Sequence, residues 1–322
     1  MLNIKKILLP IDFPHTSLSV IRQAATLARH FNSEIVMLHV VTPESLAAGV
    51  PDYGLESAGW DMLGEITGEA PKNSGQSLGP ELKGLTIRCV VLKGNSAHVI
   101  VQTAQVEKAD LIMMPSHGST FNQFLLGSVS AKVLHGSECP VWIDAHLDES
   151  EGPLTPTNPL FLYGGVGIRD KRLMQANGPE VKQRPLQKFA IRNVLCAVDL
   201  GPRSDKAVSW AAPIATKFGA LLTLAHVTAS VELWGPGGNY VDPKLKKKLV
   251  GDASQRLAKL KQETGIKANT FIGSGDVPNV LSQAAKQTKA DLLVTGCYPY
   301  DDNLRIHGYA IICAVEIPVL SI

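Results

Sequence analysis

Three stretches of this chain place ligand-binding residue types at the ends of apolar runs. Asp12 closes the run Ile7–Ile11, and a second run, Glu34–Val41, ends in His39-Val40-Val41. A third, Leu111–Met114, opens onto Pro115-Ser116-His117-Gly118, and eight residues then separate Gly118 from Gly127-Ser128. Glycines at these two positions let the backbone approach a ligand closely. The amides of Gly127 and Ser128, where a helix is predicted to start, suit a phosphate through exposed N–H groups and the helix dipole. The plainer reading of the same residues is a turn with Ser128 as the N-cap.

Other chemistry-bearing residues read more plainly. His39 and His226 sit at equivalent strand ends, where a histidine hydrogen-bonded to its neighbours is preferred over a catalytic base. Cys297 reads as a small half-buried hydrophobe before a reactive thiol. Lys246-Lys247-Lys248 reads as the solvated face of a helix whose other side carries Leu245, Leu249, Leu257 and Leu260. Gly164-Gly165-Val166-Gly167 lacks the strand–helix frame of a phosphate loop. Gly-x-Ser-x-Gly, Walker and metal-ligand spacings are all missing, so neither a catalytic residue nor a metal site is assigned, and the chain is not read as an enzyme.

The elements that position these residues occur twice. Shifted by 187 positions, residues 6–41 meet 193–228 with nine identities, among them Asp12/Asp199, Ser17/Ser204 and His39/His226. Chance gives about two. Shifted by 181, residues 94–112 meet 275–293 with eight identities, including Lys108-Ala109-Asp110-Leu111 against Lys289-Ala290-Asp291-Leu292. In the first copy the patterns predict strands over Ile7–Ile11, Glu34–Val41, Thr86–Leu92, Asp110–Met114 and Pro140–Ile143. Helices are predicted from Leu18 to Phe31, Ser96 to Glu107 and Val129 to His135. This alternation implies a mostly parallel α/β sheet with helices on both faces. Two segments break the pattern. Glu44–Lys83 is rich in Gly, Ser and Pro, and 145–188 reads as a Pro/Gly-rich linker. The predicted organisation is a first domain over 1–146, a linker over 147–188 and a second domain over 189–322.

Composition narrows the function classes. Thirty-one basic against twenty-nine acidic residues leave a formal charge of +2, which gives no broad nucleic-acid footprint. A 45% hydrophobic content and a mean hydropathy of +0.08 describe a globular chain. Its apolar runs are too short for a membrane span or a signal-peptide core. The five scattered cysteines fit a reducing cytoplasm.

Taken together, the strand-one Asp, the strand-two His-Val, the loop Ser-His-Gly…Leu-Leu-Gly-Ser-Val-Ser and the Cys-Pro-Val edge strand closely resemble the universal stress protein family. The resemblance covers most of both copies. It implies two repeated domains, each a five-stranded, mostly parallel Rossmann-like sheet of the adenine nucleotide alpha hydrolase-like kind. Many members bind ATP through a Gly-x-x-Gly-x9-Gly-(Ser/Thr) loop. The resemblance therefore implies Asp12 and Val41 near an adenine, with Gly118, Gly127 and Ser128 near ribose and phosphates. It also implies edge strands that pair subunits. A tandem chain would make that pairing internally, as a pseudo-dimer, and two chains would then be able to form a homodimer.

Departures from the family loop temper that expectation. Pro115 replaces its first glycine, and the spacing from Gly118 to Gly127 is one residue short. In the second copy, Pro299 replaces the second glycine and Tyr309 replaces the small hydroxyl residue after Gly308. Asp301 and Asp302 add negative charge there. The expectation is a cytoplasmic stress-response protein that binds an adenine nucleotide in its first domain as a regulatory ligand. The alternative is an interaction protein with both nucleotide loops degenerate.

Overall fold

The computed structural model describes residues 2–11, 18–42, 82–116, 126–144, 189–201, 204–229, 232–235, 238–241, 243–296 and 302–322. The stretch 145–188 and nearly all of 44–83 lie outside the described residues. So do Asp12, His117, Gly118, Cys297, Pro299 and Asp301.

The first copy forms β1 (Lys6–Ile11), α1 (Leu18–Phe31), β2 (Glu34–Val41), β3 (Thr86–Lys93), α2 (Ser96–Glu107), β4 (Leu111–Pro115), α3 (Ser128–Gly136) and β5 (Val141–Asp144). The second forms β6 (Asn193–Ala197), α4 (Ser204–Phe218), β7 (Leu221–Thr228), β10 (Asn269–Ser274), α6 (Val277–Thr288), β11 (Leu292–Thr295), α7 (Asp302–Ala314) and β12 (Val319–Ser321). A short antiparallel hairpin, β8 (Glu232–Gly235) with β9 (Gly238–Val241), and the long helix α5 (Pro243–Thr264) lie between β7 and β10.

Each copy contributes five parallel strands, in the spatial orders β3-β2-β1-β4-β5 and β10-β7-β6-β11-β12. The two half-sheets join where β5 and β12 pair antiparallel, with Trp142 opposite Leu320, giving one sheet of ten strands. An edge strand presents open N–H and C=O groups, and here each copy satisfies the other's.

Side chains alternate across a strand, so the apolar runs of β1 serve both faces. Ile7, Leu9 and Ile11 face a core shared with α1, α4 and α5; Leu8 faces the opposite core with α2 and α6. Trp142, wholly buried at the seam, donates its indole N–H to the side-chain Oε1 of Gln23 on α1 at 2.6 Å.

Repeated residues make repeated backbone. The Asp110 carboxylate accepts the N–H groups of Lys5 and Lys6 at 2.7 and 2.9 Å. Asp291 does the same for Arg192 and Asn193, also at 2.7 and 2.9 Å. Each aspartate thus anchors the start of the central strand of its half. Asn95 and Asp276 cap α2 and α6 from equivalent places, each accepting the N–H three residues on at 3.2 Å. Lys108 and Lys289 end those helices in left-handed conformation, at φ 51° and 50°.

Candidate functional site

In each half the strand order reverses between the first strand, which is central, and the fourth strand, which pairs beside it, β1/β4 and β6/β11. The crevice beyond the carboxyl ends of the strands at such a reversal is where open α/β sheets take ligands. Among the described residues, Val41, Gly127 and Ser128 of the first half and Asp199 and His226 of the second belong to this end of the sheet.

In the first half, Pro115 ends β4, where a missing N–H costs little, and its carbonyl accepts the Ser130 hydroxyl at 2.9 Å. The loop that follows is closed at its base: Gly127 donates its N–H to the Ser116 carbonyl at 2.7 Å. Gly127, at φ −60° and ψ 149°, is the N-cap of α3 and offers no capping side chain. Ser128 is therefore the first helical residue, exposed, and is not the cap. The first intrahelical bond runs from Ala131 N–H to Gly127 O at 2.9 Å. The N–H groups of Ser128, Val129 and Ser130 precede it, as at any helix start, and point out of the N-terminus. The anion-suited amides are thus those of Ser128–Ser130, while the Gly127 amide serves to close the loop.

Val41, 2% exposed, ends β2, and its carbonyl accepts the Gly94 N–H at 3.0 Å. Gly94 has φ +140°, and a Cβ there would come within 2.9 Å of Val99 Cγ2, so only glycine makes this turn without displacement. Of the five residues proposed for a nucleotide, Val41, Gly127 and Ser128 are described at this end of the sheet, while Asp12 and Gly118 lie outside the described residues. Two residues not singled out from the sequence belong here, Gly94 and Asp144. Asp144, 1% exposed, ends β5, and its backbone carbonyl takes the Ser116 N–H at 2.9 Å. The signal was a carboxylate closing the apolar run Val141-Trp142-Ile143.

The second half shapes the same region differently. A cavity of about 150 Å³ lies over β6, β7 and β11, bounded by Asp199, His226, Leu281, Thr295, Gly308 and Ile311. Its walls are mainly apolar, and it is the size of a single ring; drug-sized pockets begin at roughly 300 Å³. Asp199 Oδ1 accepts the Gly201 N–H at 2.8 Å and the Ser204 hydroxyl at 2.6 Å, fastening the turn into α4. Helix α7 begins at Asp302, six residues before Gly308, so Gly308 and Tyr309 lie inside the helix. Their amides are consumed by the i→i−4 ladder. The sequence suggested a loop glycine here, matching Gly127; instead the helix extends back over the loop, and no N-terminus opens at Gly308.

Both histidines take the structural role. His39 Nδ1 lies 2.9 Å from the Ile11 carbonyl and His226 Nδ1 lies 2.8 Å from the Val198 carbonyl, tying the ends of adjacent strands together. Cys196 is wholly buried, and burial pushes its thiol up to about 12, so it is inert as a nucleophile. Lys246, Lys247 and Lys248 are exposed, while Ala253 and Leu257 of the same helix are buried. Among the described residues there is no group of His, Cys, Asp and Glu able to hold a metal ion, and no helix is long and apolar enough to cross a membrane.

Comparison with known proteins matches this architecture. The model of the universal stress protein family matches residues 3–144 and 190–298. A universal stress protein of Methanocaldococcus jannaschii is 33% identical over 147 residues, covering 43% of this chain and 81% of its own. Universal stress protein A homolog 2 of Coxiella burnetii is 31% identical over 140 residues, covering 43% of this chain and 93% of its own. The crystal structure of a universal stress protein from Archaeoglobus fulgidus superposes with a TM-score of 0.60 at 20% identity, covering 99% of this chain and 96% of that one. The relatives align with one half-length of the chain, the Archaeoglobus structure with all of it. The chain therefore belongs to the universal stress protein family, with two family segments in tandem.

Proposed function

We propose that this chain is a stress-response protein whose first half binds an adenine nucleotide, ATP, as a regulatory ligand, and whose second half does not. One observation carries the reading. Gly127 starts α3 without a capping side chain, at the strand reversal, so the amides of Ser128–Ser130 precede the helical ladder. Asp12 and Val41 are assigned to the adenine end, and Gly118, Gly127 and Ser128 to ribose and phosphates. In the second half the matching Gly308-Tyr309 pair lies within α7, which removes the phosphate cradle. No general base is assigned, so the nucleotide acts as an effector and not as a substrate. The domains are proposed to span 1–146 and 189–322, joined by a linker over 147–188, in a cytoplasmic protein able to associate into a homodimer.

A second reading, an interaction protein without nucleotide in either half, draws on one specific contact: the Ser116 carbonyl already takes the Gly127 N–H at 2.7 Å. Denaturing the purified protein and assaying the supernatant for adenine nucleotides separates the two readings. Near one nucleotide per chain, lost in Gly127→Asp, supports the first. No nucleotide, and no thermal shift with millimolar ATP, supports the second.

A further inference from the structure

The second half reaches into the site proposed for the first. Tyr309 follows Gly308 where the repeat puts Ser128, but because α7 starts at Asp302 its side chain leaves from a formed helix. Its hydroxyl accepts the Leu126 N–H at 3.2 Å and lies 3.5 Å from the Leu126 carbonyl, to which it donates. The two residues are 183 positions apart and belong to different halves. Leu126 is 7% exposed and immediately precedes Gly127. Cys313 lies one turn further along α7, and burial pushes its thiol up.

Consecutive amides are thus held from opposite sides. Leu126 N–H goes to the second half, Gly127 N–H goes to Ser116 of the first, and the anion-suited amides of α3 come next. An anion site works only if its donors are held within about 0.5 Å of the required geometry. We propose that Tyr309 is a positioning residue acting across the two halves: its hydroxyl fixes the Leu126 peptide and so aims the Ser128–Ser130 amides. On this view Tyr309 is not a mere loss of the family's small hydroxyl. The second half gives up its own phosphate cradle and its helix braces that of the first. The positioning role rests on the nucleotide reading above, whereas the contact itself does not.

The test is Tyr309→Phe in the full chain, which keeps the ring and removes the hydroxyl. Hydrogen exchange of the ligand-free protein reads the Leu126 amide directly, with the amides of β6 as a control for the fold. Loss of one partly exposed hydrogen bond should speed Leu126 exchange about three- to tenfold. Calorimetric titration with ATP should show affinity weakened by about the same three- to tenfold. Unchanged Leu126 exchange overturns the proposal whatever the nucleotide result. Faster exchange with unchanged ATP affinity overturns the positioning role. A wild-type chain that takes up no ATP overturns the nucleotide reading and the positioning role with it, and exchange at Leu126 still decides the contact.

Discussion

Gly127 and Gly308 occupy matching places in the repeat but not in their helices. In the first half the glycine is the N-cap of α3; in the second it lies six residues inside α7. At three scaffold positions the halves agree: Asp110 with Asp291, Asn95 with Asp276, His39 with His226. The scaffold bonds that hold strands in place are duplicated, and the helix start that would meet a phosphate is not. Duplication therefore conserved what the sheet needs and left the ligand end free to diverge. The N-terminal end of the sheet diverged as well. Lys6 and Arg88 both bond Glu107, at 2.9 and 2.5 Å, and Glu34 lies 3.6 and 3.2 Å from them. The repeat puts Asn193, Asn269, Thr288 and Leu221 at those four places.

The largest expected effect tests whether the halves unfold as one body. Trp142→Ala empties a fully buried site at the seam and takes the indole donor from Gln23 Oε1, so it should cost about 3–5 kcal/mol. Leu320→Ala, from the opposite half, should cost about 2–5 kcal/mol. A single calorimetric transition lowered by either substitution is expected; two transitions shifted separately would break the picture of one continuous sheet.

Gly127→Asp is next. Backbone at φ −60° accepts any side chain, and an aspartate N-cap would bond the amides of Val129 or Ser130. Thermal stability should hold or rise slightly, while ATP affinity falls at least about a hundredfold, some 2.7 kcal/mol. Gly308→Asp should leave ATP affinity unchanged. Equal losses from the two substitutions, read by calorimetry, would erase the contrast between the halves.

Asp110→Asn and Asp291→Asn each weaken two hydrogen bonds from a carboxylate to strand amides, and about 1–3 kcal/mol is expected for either. Denaturant midpoints should fall by similar amounts, because the geometries match. A loss in only one half would mean that the duplicated anchors do not carry equal weight.

The smallest effect is a pH dependence confined to the first half. Hydrogen bonds from Arg88 and then Lys6 hold the Glu107 carboxyl below the usual glutamate range. Its folded value is depressed, so its contribution is present above the ordinary glutamate value and is lost as pH falls through the folded one. The network is partly exposed, and about 0.5 kcal/mol is expected. Glu107→Gln should flatten the acid stability curve below the ordinary glutamate value relative to wild type; curves that stay parallel would show that the network contributes nothing measurable.

Much of this molecule was legible from residue order. Apolar runs at period two and helical stripes are local patterns, and they placed the strands and helices of the first half within a residue or two, from Lys6–Ile11 to Val141–Asp144. The Lys-Ala-Asp-Leu repeat marked a shared feature, although not that its aspartate anchors the neighbouring strand. The hairpin β8–β9 went unread because its short strands carry little alternation. At the candidate site, sequence motifs located Gly127 and Ser128 but assigned the cap to Ser128, because a hydroxyl side chain is the commoner cap and the bond from Gly127 to Ser116 is not a local pattern.

The sequence by itself determined that the chain is two copies of one α/β unit with a ligand-type strand end in each. Only the tertiary structure decided where α7 begins, that β5 and β12 close on each other, and that Tyr309 meets Leu126 across the seam. The reason is physical. Periodicity records how each segment meets its own core, over a few residues at a time. A helix start in a weakly patterned loop, and a hydrogen bond spanning 183 positions, depend on which surfaces the folded sheet brings together.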